Sequence, residues 1–337
     1  MKNIKFALIG TGNIAHRHAK AILSIKNSEL IGVFGRDYER TKKFAAKYNI
    51  NTYTDLNELL KNKEIDAVDI VTLNNLHADL GIQSAKSGKH VLIEKPIDIS
   101  LEKAKDLIKI CKDNNVKLSV ISQHRFDKAV MWLKKEIDNG TFGDIILSNT
   151  TIIWKRSKDY FDTSNMWRKS KKISGGGVLI MKAIHNIDIL LWLLGDVKSV
   201  YGKVCTKVHE FEVEDTAAAI LKFKSGTLAN INATIPIKNL KDKIEIYGKN
   251  GYILLEEGKL INRIKKLYIK DSSISKRFSR YINFNKGTIK DQVKDFVNSI
   301  IQDKDPSITG EDGLKALEIV LSIYKSAELN KEIKIST

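Results

Sequence analysis

The chain is poor in the residues that staple or punctuate a fold. Its 337 residues include two cysteines, Cys111 and Cys205, far apart, with no C-x-x-C pair and no histidine at ligand spacing. That scarcity argues against a disulfide framework and a zinc-dependent dehydrogenase, and no metal is expected. There are three prolines, no Pro/Gly-rich linker and no internal repeat. Long apolar runs are missing near the start as well. Phe6-Ala7-Leu8-Ile9 is interrupted by Thr11, Asn13 and His16-Arg17-His18 before a signal core or a span of about 18 residues could form, so cytoplasmic residence is expected and no membrane partner. Acidic residues are the scarcer charge, 40 against 57 basic ones, for a formal charge of +17. Such a field would suit nucleic acid, a membrane surface or a phosphorylated ligand, but the lysines are scattered along helical faces rather than blocked. A general bias toward Lys, Ile and Asn accounts for them, and nucleic acid is not the expected partner.

What is present is an ordinary globular mixture, 42% hydrophobic and 29% charged, long enough for two domains. From Ile4 to about Ser122, short apolar runs alternate with amphipathic segments. The spacing predicts strands at 4–9, 29–34, 67–72, 90–93 and 117–121, and helices at 13–26, 38–47, 77–87 and 100–114. In the last helix Leu101, Ala104, Leu107, Ile108 and Cys111 share one face, and Ser100 caps its start. The fold class expected is α/β, a doubly wound parallel sheet over residues 1–122.

Beyond Gln123 the texture changes. A helix near 127–138 ends at Asn139-Gly140, and β-like runs follow at 144–153, 198–208, 215–223, 227–235, 243–247 and 252–256. These predict a second α/β domain over 123–337 with one large, open antiparallel sheet, interrupted by a helix at 178–194. Helical periodicity returns at 288–302 and 310–328, with a Thr309-x-x-Asp312 capping box, and these helices are expected to pack back on the N-terminal domain or its junction.

Gly10-Thr11-Gly12-Asn13-Ile14-Ala15 follows a predicted strand and opens a predicted helix, the setting a dinucleotide fingerprint requires. Gly10 allows the tight turn, Gly12 lets backbone approach a pyrophosphate, and the helix N-terminus supplies N–H groups for the anion. At the end of the second strand, Gly35 stands where a ribose-binding acid is expected and Arg36 follows it. The guanidinium favours NADP slightly over NAD, although Asp37 could serve the ribose of NAD. Glu94-Lys95-Pro96 lies just past the fourth core strand, at the ligand-binding edge of such sheets. A lysine there, beside an oxidised nicotinamide and partly desolvated, could exchange a proton with a substrate hydroxyl. His185 and Asp188 share one face of the helix after Gly175-Gly176-Gly177; alone, His185 reads equally as a packing histidine.

Taken in order, the Gly10–Ala15 turn, Thr72-x-Asn74-x-x-His77, Glu94-Lys95-Pro96, Gln123-x-Arg125-Phe126, Trp167-Arg168, Gly175–Gly177 with His185-x-x-Asp188, and Glu214-Asp215-Thr216 resemble the Gfo/Idh/MocA oxidoreductase family over nearly the whole chain. The resemblance implies a Rossmann domain followed by a domain whose open sheet often forms dimers or tetramers, so a homodimer or homotetramer is expected. It assigns Lys95 and His185 as catalytic. It places Gly10, Gly12, Asn13, Ile14, Arg36, Thr72, Asn74, His77, Glu94, Lys95, Gln123, Trp167 and Arg168 along an NAD(P) cofactor, and Lys95, Arg125, Arg168, His185 and Asp188 at the substrate. Polyol dehydrogenases of the family often carry an aspartate four residues before the histidine, where this chain has Met181. A full Asp–His relay is therefore not expected, and more of the proton transfer falls to Lys95.

The stretch from Gly175 to Gly195 looks closest to members that oxidise nucleotide-linked amino sugars, such as UDP-GlcNAc or its uronate, at the ring C3 hydroxyl. Trp154-Lys155-Arg156 and the basic segment 263–281 would then meet a diphosphate, unless that segment is a solvated loop. A free-sugar or inositol dehydrogenase is the alternative within the family. A non-catalytic, dinucleotide-dependent regulator would need the glycine turn but neither Lys95 nor His185, and both are present.

Overall fold

Five of the six strands in the N-terminal region coincide with the apolar runs noted above, and burial on both faces explains their nearly unbroken hydrophobicity. In the computed structural model, which describes all residues except 1, 2, 157, 163–165, 208, 236–240, 258–260, 271–281 and 337, the chain divides into two units. The first comprises Met1–Gln123 and Thr288–Leu314, the second His124–Gly287 and Lys315–Thr337.

In the first unit, β1 (Ile4–Ile9), β2 (Ser28–Phe34), β3 (Asn51–Tyr53), β4 (Ala67–Ile70), β5 (His90–Ile93) and β6 (Leu118–Val120) form a parallel sheet in the order β3-β2-β1-β4-β5-β6. The order reverses at β1, so a crevice opens where the glycine turn leaves that strand. The three-residue β3 and the six-residue helix Leu56–Lys61, capped by Asp55, were not expected. Both are shorter than the window over which a period can be read. Helix Leu101–Asp113 buries Ala104, Leu107, Ile108 and Cys111, and the Ser100 hydroxyl accepts the Lys103 N–H at 3.4 Å.

The first unit runs to Gln123, one residue from the expected boundary, and takes in Thr288–Leu314, while Lys315–Thr337 belongs to the second. Helix Ile289–Gln302 drives Ile289, Val293, Phe296, Val297 and Ile300 into the same core as Ile4, Phe6, Leu8, Ala19 and Ile22. Apolar burial on that scale, at roughly 1.5–3 kcal/mol per large side chain, outweighs sequence distance. Gln292 fixes the register. Fully buried, it accepts the Ser122 N–H at 2.9 Å and donates to Val120 O at 2.8 Å. The last helix, Gly310–Leu329, starts with the reciprocal Thr309–Asp312 cap and is divided between the units after Leu314.

The second unit is built on nine strands: β7 (Ile145–Ile153), β8 (Val197–Cys205), β9 (Thr216–Phe223), β10 (Leu228–Thr234), β11 (Lys243–Gly248), β12 (Gly251–Glu257), β13 (Ile261–Ile269), β14 (Ile282–Asn285) and β15 (Ile333–Lys334). Their order is β14-β13-β12-β11-β7-β10-β9-β8-β15. Every ladder is antiparallel except β7–β10, which is parallel. A parallel pair needs a long crossover, and residues 154–227 supply it. The basic segment 263–281 is part strand, β13, while 271–281 lies outside the described residues.

Helices Lys128–Asp138 and Ile184–Leu194 pack against each other, and the second also lies on β7. By composition Lys171–Leu194 is long and apolar enough to cross a membrane, with mean hydropathy 1.6, but 72% of that window is buried as core of this unit. The helix predicted at 178–194 is not uniform. It opens with a π turn over Leu179–Ala183 and becomes α-helical at Ile184. Such turns recur at functional sites, and His185 follows this one directly.

Candidate active site

The glycine turn has the shape a diphosphate needs. Gly10 has φ +120°, and a Cβ there would lie 2.5 Å from Val71 O, so only glycine is accommodated. A Cβ on Gly12 would meet nothing within 4 Å, leaving the backbone open to a ligand. Helix Ala15–Leu23 begins at Ile14 with no side-chain cap, so its positive end is left for an anion. Thr72 borders the turn, its Cγ2 being 3.3 Å from the Gly10 Cβ position. Asn13 is exposed, while Ile14 packs against the core and offers a ligand only its backbone.

The missing acid at the end of β2 has a steric cause. A Cβ on Gly35 would lie 2.4 Å from the Thr41 hydroxyl and 3.0 Å from Thr11 Cγ2. Asp37 is occupied as a helix cap, its Oδ1 accepting the Arg40 N–H at 3.0 Å, and Arg36 is exposed. Arg40, which the sequence pattern did not single out, donates from Nε to Thr11 O at 3.1 Å and so stands beside the glycine turn. Its only advance signal is its place on the first turn of the helix after Arg36.

Lys95 is half-buried just past β5, and beside it lies a charge cluster of the buried His18 and Asp69 with the partly buried Glu94. His18 donates from Nδ1 to Asp69 Oδ2 at 2.7 Å and from Nε2 to Glu94 Oε1 at 3.1 Å, which requires the imidazolium. Burial opposes that charge, yet the two carboxylates outweigh it and push the His18 pKa up to about 10. Glu94 is raised by burial but lowered further by His18 and Lys95, so it stays ionised. The Asp69 carboxyl is raised, because its complete burial exceeds the pull of the imidazolium. The second Glu94 oxygen accepts the Lys95 N–H at 3.1 Å, tying the cluster to the lysine backbone.

His77, expected along the dinucleotide, is 1% exposed, with its Nδ1 2.6 Å from Pro96 O and its Nε2 3.4 Å from Thr72 O. Burial lowers its pKa, and the neutral ring braces the Lys95-Pro96 turn from behind. Asn74 is buried at the start of the 3-10 turn Asn74–Leu76, and Gln123 is half-buried.

In the second unit the glycine stretch and Glu214 together seat the helix of His185. A Cβ on Gly177 would lie 1.8 Å from Glu214 O, and one on Gly176 would lie 2.1 Å from the Tyr324 hydroxyl. The Glu214 carboxylate accepts the N–H of Gly177 at 2.7 Å and of Leu179 at 2.9 Å, and the Tyr324 hydroxyl at 2.8 Å. Asp215 accepts the N–H groups of Lys207 and His209, each at 3.0 Å.

His185 is half-buried on the wall of a small cavity lined also by His124, Asp127, Lys182 and Asp242 and by the apolar Val130, Ile189, Ile244 and Leu255. Lys182 pairs with Asp242 at 2.7 Å.

Arg125 and Asp188, expected at the substrate, are instead bound to each other. Both are buried, and the guanidinium meets the carboxylate in a fork at 2.9 and 2.6 Å. This bidentate pair braces the turn at 125 against the His185 helix. Trp167 and Arg168 lie on a short 3-10 turn, with the Arg168 guanidinium 4.3 Å above the Tyr160 ring and 4.6 Å from that of Trp167.

Comparison with known proteins bears on both units. Residues 4–122 match the family described as "Oxidoreductase family, NAD-binding Rossmann fold", and residues 130–254 match the "GFO/IDH/MocA C-terminal domain". The chain belongs to the Gfo/Idh/MocA oxidoreductase family. It is similar to myo-inositol 2-dehydrogenase of Thermotoga maritima, at 27% identity over 98% of both chains. It is similar as well to levoglucosan dehydrogenase of Pseudarthrobacter phenanthrenivorans, at 26% identity over 76% of this chain and 71% of that one. Its fold superimposes on the WlbA dehydrogenase of Bordetella pertussis, solved in complex with NADH and UDP-GlcNAcA, with a TM-score of 0.91, 27% identity and all of both chains covered. As a Gfo/Idh/MocA member the protein is an NAD-dependent oxidoreductase.

Proposed function

We propose that the protein transfers hydride between a ring carbon of a sugar and nicotinamide, acting first on C3 of a nucleotide-linked amino sugar such as UDP-GlcNAc or its uronate. The observation that carries this reading is the cavity beside His185. It sets imidazoles, an ammonium and carboxylates beside apolar side chains, as a ring with hydroxyls on its edges and C–H groups on its faces requires.

Bound nicotinamide supplies the hydride acceptor. The chain does the rest: the glycine turn holds the diphosphate, and Lys95 and His185 move the hydroxyl proton.

The nucleotide part of the proposal is supported by the arginines around Tyr160. The Arg156 guanidinium lies 4.8 Å from the Trp154 ring and 4.9 Å from that of Tyr160, and Arg168 covers the same tyrosine. Guanidinium groups stacked on rings keep their N–H edges available to phosphate oxygens. The likeness to a WlbA dehydrogenase bound to UDP-GlcNAcA points the same way. A free-sugar or inositol substrate is the second reading, favoured by the full-length likeness to myo-inositol 2-dehydrogenase, with Met181 weighing against it. NADP is preferred slightly over NAD, on the exposed Arg36 and the packing that forbids an acid at Gly35.

Incubating the protein with UDP-sugars, free sugars and inositols while following nicotinamide absorbance tests the substrate class. Lys95→Ala is expected to keep dinucleotide binding and to lose turnover by about 100-fold or more. Unchanged turnover in that variant refutes the assignment.

A further inference from the structure

A second imidazole stands against His185. His124 lies on the 3-10 turn Gln123–Phe126, its ring centroid 5.2 Å from that of His185, with the planes crossing at 84°. Its Nδ1 is 3.2 Å from Asp127 Oδ2, and Asp127, 2% exposed, also accepts the Gly287 N–H through its other oxygen. The result is a line from a buried carboxylate through one imidazole to the edge of another.

The remaining charged groups around this line are committed elsewhere. Lys182 is paired with Asp242, which also accepts the Ile153 N–H at 2.8 Å, and Arg125 is forked onto Asp188. Met181, four residues before His185, offers no carboxylate, and Lys182 rather than Met181 lines the cavity.

We propose that His124, anchored by Asp127, is the positioning residue of His185, filling the role that a carboxylate at position 181 does not play here. When an alcohol is oxidised, the C–H bond breaks with its electron pair leaving as hydride to the nicotinamide, and the O–H proton passes to His185. The positive charge then on His185 is stabilised by Asp127 through the intervening His124 ring, until the proton leaves to solvent by way of the cavity. The same contact holds the His185 ring in one orientation, as outer-shell partners do for other reactive imidazoles. The proposal rests on the role given to His185 above.

A test without turnover is histidine-ring ¹H–¹⁵N NMR of the dinucleotide-free protein across pH, in the wild type, His124→Asn, His124→Phe and Asp127→Asn. Asp127→Asn, which removes the negative charge behind the ring, is expected to lower the His185 titration midpoint by about half a pH unit or more, and the two His124 variants, which keep that charge but remove the ring between, are expected to move the midpoint away from the wild-type value. In the kinetics, His124→Phe is expected to lower kcat by about 10–100-fold with KM changed less than about threefold, and Asp127→Asn by less. Thermal unfolding and NADH binding identify which variants are folded, and His124→Asn is the milder substitution should the phenylalanine not be tolerated. Superimposable His185 titrations in all the proteins overturn the proposal, as does wild-type kcat in both His124 variants when His185→Ala is inactive. Should His185→Ala keep its turnover, the reading of the active site fails instead, and the NMR midpoints alone decide whether the two imidazoles are coupled.

Discussion

Replacing His18 by Gln would leave Asp69 and Glu94 facing each other in the core of the first unit without the cation that both require. A rise in pKa from 6.5 to about 10 corresponds to roughly 5 kcal/mol in favour of the charged ring, at about 1.4 kcal/mol per pH unit. Breaking a buried ion pair by removing one partner costs a similar amount, about 3–5 kcal/mol. The lower end is expected, because the abandoned carboxylates can take up a proton and share it. The pH dependence has a definite sign. The folded protein holds the proton more tightly than the unfolded chain, so this stability is complete below pH 6.5 and is lost as pH rises through about 10. Urea unfolding followed by circular dichroism, at intervals from pH 6 to pH 10.5, should show the variant several kcal/mol less stable at pH 6 and the gap closing toward pH 10. A gap that stays constant over that range, or one below about 1 kcal/mol at pH 6, would refute the charged bridge.

Two further outcomes follow from the geometry. Arg125→Met strands a buried Asp188 and should lower stability by about 3–5 kcal/mol, read as a fall in Tm, and the Arg125→Met/Asp188→Leu double variant should recover much of that loss. Recovery would show that the pair is a brace; a normal Tm in the single variant would show that it is not. Arg36→Ala should raise KM for NADPH about tenfold while changing KM for NADH less than about threefold, and equal effects on both would remove the preference for NADP.

Much of the first unit was legible because its signals are local. The Gly10–Ala15 turn, the Ser100 cap and the Thr309–Asp312 box each act within a few residues, and the structure shows each with the geometry its spacing implies. β3 and helix Leu56–Lys61 escaped notice for want of length. The pairing of Arg125 with Asp188 was illegible for a different reason: 63 residues separate them, and nothing in either neighbourhood shows that each is the other's partner. His18 was noted only as part of a basic interruption, since its carboxylates lie 51 and 76 residues away.

The alternation of strands and helices, the tight glycine turn and the family were readable from the sequence, because these depend on periodicity, on backbone freedom at glycine and on the order of short motifs. Tertiary structure alone decided which charges face one another: His18 between two acids, Arg125 on Asp188, His124 against His185. It also set where the returning C-terminal segment passes from one unit to the other, after Leu314. The physical reason is that a charge acts on whatever lies within a few ångströms through a poorly screening interior, and only the folded chain sets those distances.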